Sequence, residues 1–391
     1  MPDAIYLDNQ ATTPTDPRVR DALSPLLEVS VVGNPHSDHI AGRRIAQAVE
    51  RARAQIASLI GAQPPEIVFT SGATEANNLA IQGLARSPGR RGNHLITCAT
   101  EHKCVLEAAA FLGRSGFSVN VLPVDRDGLV NVAQLADTIT DDTFLVTIMT
   151  ANNEIGVLQP IAEIADVCKS RGVAFHSDAA QAVGKIPVNV RELGIDMLSL
   201  SGHKLYAPIG IGALYISSEM PAMPEPLILG GGQERGLRSG TLPAHLCVGF
   251  GEACEIAVDD REEDARRAIE MRDAFLSIVT RHVPDARING HTARRLPGNL
   301  SLTLPGVDAD HLVGGLQPDI AVSTNAACSS GVLMPSHVLR ALGLTESDAA
   351  STIRIGFGRF NTLRQVQTAA ERLGEAAIRI RCHDKLWTAP A

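Results

Sequence analysis

Several features that are scarce or missing in this sequence exclude whole classes of protein. Aromatic residues make up 3% of its 391 residues, so few side chains are available to stack on single-stranded nucleic acid. The formal net charge is -8, which is the wrong sign for a surface that coats nucleic acid. No uninterrupted apolar run approaches the roughly 18 residues of a membrane span, and the N-terminus has no signal-peptide pattern. We expect a cytoplasmic protein that binds neither membranes nor nucleic acid directly.

Cysteine is scarce, and no two cysteines form a recognisable pair. The seven cysteines include no C-x-x-C motif and their number is odd, so neither a disulfide framework nor a metal site is expected. Most of them are predicted to be small, buried, apolar residues, and one of them to be reactive. They stand at positions 98, 104, 168, 247, 254, 328 and 382.

The chain has ordinary globular composition, with 45% hydrophobic and 20% charged residues. Between residues 66 and 217, short apolar runs such as EIVFT, HLITCA and DMLSLSG alternate with helical patterns. This alternation predicts an α/β fold with a mainly parallel sheet covered by helices on both faces. A Pro- and Gly-rich stretch follows over 218–243, a long helix is predicted over 243–282, and the remainder has the pattern of a smaller α/β unit.

Two positions in the alternating region suit a ligand. The turn from Ser71 to Thr74 joins a strand to a helix, where free backbone N–H groups can bind phosphate, although a plain capping turn is the commoner interpretation. Asp178 ends a buried strand, where a carboxylate needs a partner such as a pyridinium nitrogen. A helix N-cap is an equal alternative for Asp178 taken alone.

Two further residues carry groups that could react. Lys204 follows the apolar strand DMLSLS, where burial lowers an amine's pKa into the range of Schiff-base chemistry. A lone lysine after a strand is usually a surface residue, but a strand-end Asp178 earlier in the chain favours the reactive interpretation. Cys328 lies among Gly, Ser and Asn residues, which predicts a mobile loop and a reactive thiol, against the alternative of an incidental surface cysteine.

In this order, the motifs resemble those of the NifS/IscS-like cysteine desulfurases, which are class V aminotransferases with fold type I of the pyridoxal-phosphate enzymes. The resemblance covers nearly the whole chain. It implies a large domain over 21–258 with a seven-stranded, mainly parallel sheet, a smaller α/β domain over 259–391 that carries the cysteine loop, and an N-terminal segment, 1–20, that packs with the smaller domain. The motifs are YLDNQATTP, GNPHS, FTSGATEANN, TEHK, NNEIG, HSDAAQAVGK, SGHK, GGGQERGLRSGT, the Cys328 loop with PSHVLRALG, and IRIGFGRF.

The resemblance also implies the catalytic residues. Lys204 is expected to bind pyridoxal 5'-phosphate covalently and to move the α-proton of the substrate. Asp178 is expected to pair with the ring nitrogen of the cofactor. His102 is expected to stack on the ring and to assist proton transfer, and Cys328 to accept sulfur as a persulfide.

The binding residues follow from the same resemblance. The substrate carboxylate is expected to contact Asn34 and Arg354, since a guanidinium binds a carboxylate through two parallel hydrogen bonds. The other expected cofactor contacts are Ala73, Thr74, Asn153, Gln181, Ser201 and His203, together with Thr241 from a second subunit.

The implied activity converts L-cysteine to L-alanine. The sulfur then passes from Cys328 to an acceptor protein for iron–sulfur assembly, tRNA thiolation or DNA phosphorothioation. A homodimer is expected, because fold type I sites are commonly shared between subunits. An aminotransferase or selenocysteine lyase on the same fold is the alternative among enzymes, and a docking-only sulfur carrier is the alternative outside them.

Three differences from the family pattern stand out, in the cysteine loop, after the ring-pairing aspartate and at the C-terminus. Asn325 and Ala326 stand where Gly and Ser are usual, and Asn adopts left-handed backbone less readily than Gly. Ala180 stands where Thr is common. The sequence ends soon after HDKLW, without the longer tail with which housekeeping members dock the iron–sulfur scaffold. A specialised acceptor is therefore our hypothesis.

Overall fold

The structure is a computed structural model that describes residues 4–324, 327–329, 332–334 and 336–387. Its strands are β1 (Ile5–Tyr6), β2 (Ile67–Thr70), β3 (His94–Cys98), β4 (Ser118–Leu122), β5 (Thr143–Thr147), β6 (Ala174–Asp178), β7 (Met197–Ser201), β8 (Gly212–Ile216), β9 (Arg287–Ile288), β10 (Asn299–Thr303), β11 (Ile320–Ala321), β12 (Ser323–Thr324), β13 (Ala327–Ser329), β14 (Val332–Met334) and β15 (Thr352–Gly356).

Helices alternate with these strands along the chain. A π-helical turn, Leu79–Gly83, joins α3 to α4, and a 3-10 turn, Gly202–Lys204, follows β7. The α-helices are α1 (Pro17–Leu23), α2 (Ile40–Ile60), α3 (Ala73–Asn78), α4 (Leu84–Arg86), α5 (Lys103–Arg114), α6 (Val132–Thr138), α7 (Ile161–Arg171), α8 (Ala244–His282), α9 (Ala309–Leu316), α10 (His337–Ala341), α11 (Glu346–Ala350) and α12 (Leu363–Trp387).

A seven-stranded sheet forms the centre of the larger unit, in the order β2-β8-β7-β6-β5-β3-β4. The pairs between β7 and β4 are parallel, whereas β8 runs antiparallel to both of its neighbours. Every residue of β3, β5, β7 and β8 is buried, as in strands that are covered on both faces. The predicted α/β fold with a mainly parallel sheet is confirmed, with β8 as the exception.

The smaller unit is built on an antiparallel sheet in the order β12-β15-β10-β9. Its core includes Leu300, Ile353 and Phe275, the last from the second half of α8. The first half of α8 packs on the core of the larger unit instead. The boundary expected between residues 258 and 259 therefore falls inside one continuous helix, and the domain limits stay a prediction.

The remaining short strands pair with each other outside the two larger sheets. β1 pairs in parallel with β11, so the N-terminal segment joins the smaller unit before it runs on toward the larger one. β13 and β14 form an antiparallel hairpin outside both larger sheets, with Cys328 opposite Leu333 in the backbone register. The loop predicted around Cys328 thus contains two short strands. The side chain of Cys328, and the whole of Asn325 and Ala326, lie outside the described residues.

The topology brings several strand ends to one edge of the central sheet. β6 ends at Asp178, and β7 ends at Ser201, just before the turn that carries Lys204. β2 runs in the same direction as β7, because both are antiparallel to β8, so the start of α3 lies at this edge too. Ligands of open α/β sheets bind at this carboxyl edge.

A buried ion pair fixes the loop that follows β8. Arg53 of α2 and Glu234 are 3% and 5% exposed, and two N–O contacts of 2.7 Å join them. Arg53 also donates to the carbonyl of Ile67 at 2.7 Å, and the amide of Phe69 donates to Glu234 at 2.7 Å. The pair therefore ties α2, β2 and the Gly-rich loop together.

We expect Glu234→Gln to lower the free energy of unfolding by roughly 3 kcal/mol, the low end of the range for a broken buried pair, because Glu50 still contacts Nε of Arg53. Chemical denaturation checks this. The matched control is Glu263→Gln, which breaks the exposed contact with Arg266 and should leave the midpoint unchanged. Equal effects of the two substitutions would contradict the expectation.

Candidate active site

A cavity of about 460 Å³ opens at the carboxyl edge of the central sheet. It brings together most of the residues predicted from the sequence to act or bind. Those that line it are Ala73, Thr74, His102, Asn153, Asp178, Gln181, Ser201, His203, Lys204 and Arg354. Their roles stay predictions, but their convergence on one cavity is a feature of the fold.

Lys204 lies on the cavity wall in the 3-10 turn after β7. Its Nζ donates to the backbone carbonyls of Gln10 at 2.5 Å and Ala11 at 2.6 Å. Burial, helped by the positive charge of Arg354, lowers the pKa of Lys204 to about 8, while Asp8 and Asp178 act in the opposite sense. A useful fraction of this amine is therefore neutral near physiological pH and able to attack a carbonyl carbon.

Asp178 is 4% exposed and faces the same cavity. One carboxylate oxygen accepts from Nδ2 of Asn77 at 2.7 Å, and the other accepts from the amide of Ala180 at 2.9 Å. Among the described residues it forms no ion pair. A buried carboxylate with this surplus of negative charge suits a cationic ligand atom.

The start of α3 forms a backbone cradle at the cavity. Gly72, the N-cap, has φ 152° and ψ 178°, a conformation that only glycine adopts readily. A Cβ added to Gly212 of β8 would lie 2.6 Å from Cα of Gly72, so the turn packs directly on the strand. Ala73 and Thr74, the first residues of the helix, line the cavity, and N–H groups in the first turn of a helix have no partner within the helix and suit an anion.

Two histidines line the cavity in their neutral forms. Burial lowers the pKa of His203 to about 4, with Lys204 and Lys185 adding to the effect, and its Nδ1 lies 3.1 Å from the hydroxyl of Thr12. His102 is the N-cap of α5, and partial burial lowers its pKa against the opposing charge of Asp178. Neither ring therefore adds a positive charge at neutral pH.

Arg354 projects from β15 into the cavity and is held from two sides. Its Nη2 lies 2.8 Å from Oδ1 of Asp8, and its Nη1 donates to the carbonyl of Asn153 at 3.2 Å. Its Nε is buried without a hydrogen-bond partner in the part of the chain that the structure describes. A bound carboxylate would satisfy that donor.

Two of the predicted residues, Asn34 and Thr241, do not line this cavity, and a third, Cys328, cannot be placed relative to it. Asn34 lies in the segment before α2, where its Oδ1 accepts from the amide of His36 at 2.9 Å. Thr241 is exposed, and a single chain does not test its expected approach from a second subunit. The side chain of Cys328 lies outside the described residues.

Several side chains at the site were not singled out from the sequence. Gln10 contributes a carbonyl to Lys204 and accepts from Gln181 Nε2 at 2.9 Å, and the YLDNQATTP motif was its only signal. Cys104 lines the cavity, whereas the sequence did not distinguish it from the cysteines predicted to be mostly buried and apolar. Asn77 donates to Asp178, and Lys185 donates to Gln181. Contacts of this kind, to a residue that itself lines the cavity, cannot be recognised in a single sequence.

Comparison with known proteins gives a consistent result. The chain matches the family model "Aminotransferase class-V" over residues 5–368. It is 49% identical to a mouse cysteine desulfurase over 384 residues, which are 98% of this chain and 83% of that protein. A solved NifS-like protein has a TM-score of 0.89 at 36% identity, over 95% of this chain and 98% of that one. A solved SspA in complex with cysteine has a TM-score of 0.80 at 38% identity, over 92% and 100%.

The chain therefore belongs to the class-V aminotransferase family, whose members depend on pyridoxal phosphate. Within that family it belongs with the cysteine desulfurases, as the resemblance of its motifs predicted. Two further observations describe the chain. None of the helices in the described ranges is long and apolar enough to cross a membrane. In the same ranges, no three His, Cys, Asp or Glu side chains cluster so that they could hold a metal ion.

The lowered pKa of Lys204 predicts its reactivity. In cofactor-free protein, labelling of Lys204 by an amine-specific reagent should rise with pH to a midpoint of about 8, since only the neutral amine reacts. Peptide mass spectrometry measures this, with the exposed Lys169 as the reference peptide. Arg354→Met should move the midpoint to higher pH, because it removes a positive charge. A midpoint near the ordinary lysine value of about 10.4 would contradict the prediction.

Proposed function

We propose that this chain transfers the sulfur of L-cysteine to Cys328 as a persulfide, releases L-alanine, and passes the sulfur to an acceptor protein in the cytosol. The observation that carries the proposal is the meeting of Asp178, Lys204 and Arg354 in one cavity. These supply a buried carboxylate, an amine of lowered pKa and a guanidinium with a free donor. The SspA structure that this chain resembles holds cysteine.

Pyridoxal 5'-phosphate fits the residues present. The uncompensated carboxylate of Asp178 suits a protonated ring nitrogen, and the start of α3, with Ser201 and His203 nearby, suits the phosphate. Lys204 would hold the aldehyde carbon, and Asn153 and Gln181 the ring oxygen region. When bound, the cofactor supplies a sink for the electrons left on the substrate α-carbon.

The chain's own residues then have distinct tasks. Arg354, with Asn34, binds the substrate carboxylate and so sets which face of the α-carbon points to Lys204. Lys204 removes the α-proton and can return it to a neighbouring atom, a task that its lowered pKa suits. Cys328 as a thiolate attacks the substrate sulfur, so that an S–S bond forms while the C–S bond breaks. The electron pair of the C–S bond stays with the substrate β-carbon, which takes up a proton on the way to alanine.

A second copy of the chain is part of this proposal. Ile209 lines the cavity yet is 73% exposed, and Leu229 and Val29 are 80% and 97% exposed. Large apolar side chains that are left in water favour burial against another chain, and Ile209 is one that also borders the cavity. We expect a homodimer in which Thr241 of each chain reaches the cavity of the other.

Sedimentation of the purified protein should therefore give twice the 41.4 kDa chain mass at micromolar concentration. Leu229→Asp should lower the dimer fraction, because it places a charge in the apolar surface that the second chain is expected to cover. Arg379→Asp on α12, exposed and far along the chain, is the control for an added acid. A monomer throughout would remove the shared-site part of the proposal and leave the rest.

The desulfurase activity is tested by absorbance and product analysis. The protein should be yellow, and on addition of L-cysteine it should form alanine and, with a reductant, sulfide. Cys328→Ser should keep the colour but form no alanine above background, whereas the exposed Cys382→Ser should behave as wild type. A yellow protein that forms no alanine from cysteine would instead favour a transaminase or a selenocysteine lyase.

A further inference from the structure

The thiol of Cys104, on the wall of the cavity, has hydrogen-bonding neighbours in His102, Asn77 and the hydroxyl of Thr74. The thiol of Cys104 lies 2.9 Å from Nδ1 of His102 and 3.1 Å from Nδ2 of Asn77. The backbone amide of Cys104 also donates to Nδ1 of His102, at 3.3 Å. None of these contacts belongs to the roles assigned above, and all of them bear on which nitrogen of His102 carries a proton.

The direction of these hydrogen bonds can be worked out from Asp178. Its carboxylate oxygen can only accept, so the Asn77 atom 2.7 Å away must be the amide nitrogen, Nδ2. That nitrogen has a second hydrogen, which points to the Cys104 sulfur. The sulfur therefore accepts from Asn77 and keeps its own hydrogen for another acceptor.

The acceptor is Nδ1 of His102, at 2.9 Å, because the Thr74 hydroxyl acts as a donor to the sulfur and so favours a lower pKa of the thiol. A backbone N–H already donates to this nitrogen, so Nδ1 must be unprotonated for that contact to be a hydrogen bond. The thiol keeps its hydrogen, because burial, with the charge of Asp178, raises the pKa of Cys104 to about 12. Two donors thus converge on one ring nitrogen.

We infer that Cys104 is a positioning residue that fixes His102 as the neutral imidazole with its hydrogen on Nε2. The tautomer itself follows from contacts within the chain, and its catalytic consequence rests on the proposed function. With Nδ1 occupied by two donors, His102 can exchange protons with a substrate only through Nε2. Cys104 is then not a second nucleophile, since a protonated thiol reacts poorly.

Removal of the thiol should raise the pKa of His102. A donor to Nδ1 stabilises the neutral ring, so its loss favours the imidazolium. Other charges around the ring stay in place in such a variant, so the change reports on Cys104. These are Asp178, Lys204 and His337, with Lys103 and Glu101 on the histidine's own segment.

The test is a ¹H–¹⁵N spectrum of cofactor-free protein labelled at histidine, with the His102 signals assigned by their loss in His102→Gln. Wild type should show Nε2 protonated and Nδ1 bare. In Cys104→Ala the titration midpoint of His102 should move to higher pH, and Cys104→Ser should restore it, because a hydroxyl also donates. Cys254→Ala, which removes a buried thiol far from the cavity, is the control and should leave His102 unchanged. A ring protonated at Nδ1, or a midpoint that is the same in all variants, would overturn the inference.

A second measurement needs no substitution. Iodoacetamide should modify Cys104 of the cofactor-free wild type far more slowly at neutral pH than it modifies the exposed Cys382. Rapid modification would indicate a thiolate–imidazolium pair and would also overturn the inference.

In holoenzyme, kcat of Cys104→Ala should fall about tenfold with KM little changed. This is a part of the 10²–10⁴-fold rate increase that general acid–base catalysis supplies. If the protein forms no alanine at all, the proposed function fails, while the spectrum still decides the tautomer.

Discussion

The carboxylate of Asp178 is the group on which the chemistry proposed for this cavity depends. It lies buried at the end of β6, held by hydrogen bonds from Asn77 and Ala180, and the described residues give it no cationic partner. Such a group is costly to bury. The folded chain therefore holds a negative charge without a cationic partner at the sheet edge, and a protonated ring nitrogen is a ligand that would pair with this charge.

Burial also shifts the pKa values of the ionisable residues around Asp178. Burial, together with the charge of Asp178, raises the pKa of Glu101 to about 8 and that of Cys104 to about 12. Burial lowers the pKa of Lys204 and of His102, and here the charge of Asp178 opposes the change. All four shifts favour the neutral form. At neutral pH Glu101, Cys104 and His102 are therefore mostly uncharged, whereas Lys204, with a pKa of about 8, is still largely protonated and its neutral fraction grows as the pH rises.

Much of the fold and many of the site contacts could be predicted because they depend on local pattern. Continuous apolar runs gave the buried strands, and the strand-end positions of Asp178 and Lys204 placed both at one sheet edge. The direction of β8 could not be obtained this way, since a short apolar run looks the same in either orientation. Cys104 could not be singled out from the other cysteines, because its partners, Asn77 and His102, meet it only after folding.

The site also depends on a contact between the two units that no single motif reveals. β1 pairs with β11 of the smaller unit, and the chain then places Asp8 against Arg354 of β15 and the carbonyl of Gln10 against Lys204 of the larger unit. The guanidinium of Arg354 keeps a free donor, Nε, for the proposed substrate carboxylate while Asp8 holds Nη2. The N-terminal segment therefore contacts both residues of the proposed chemistry, Arg354 through the carboxylate of Asp8 and Lys204 through the carbonyls of Gln10 and Ala11.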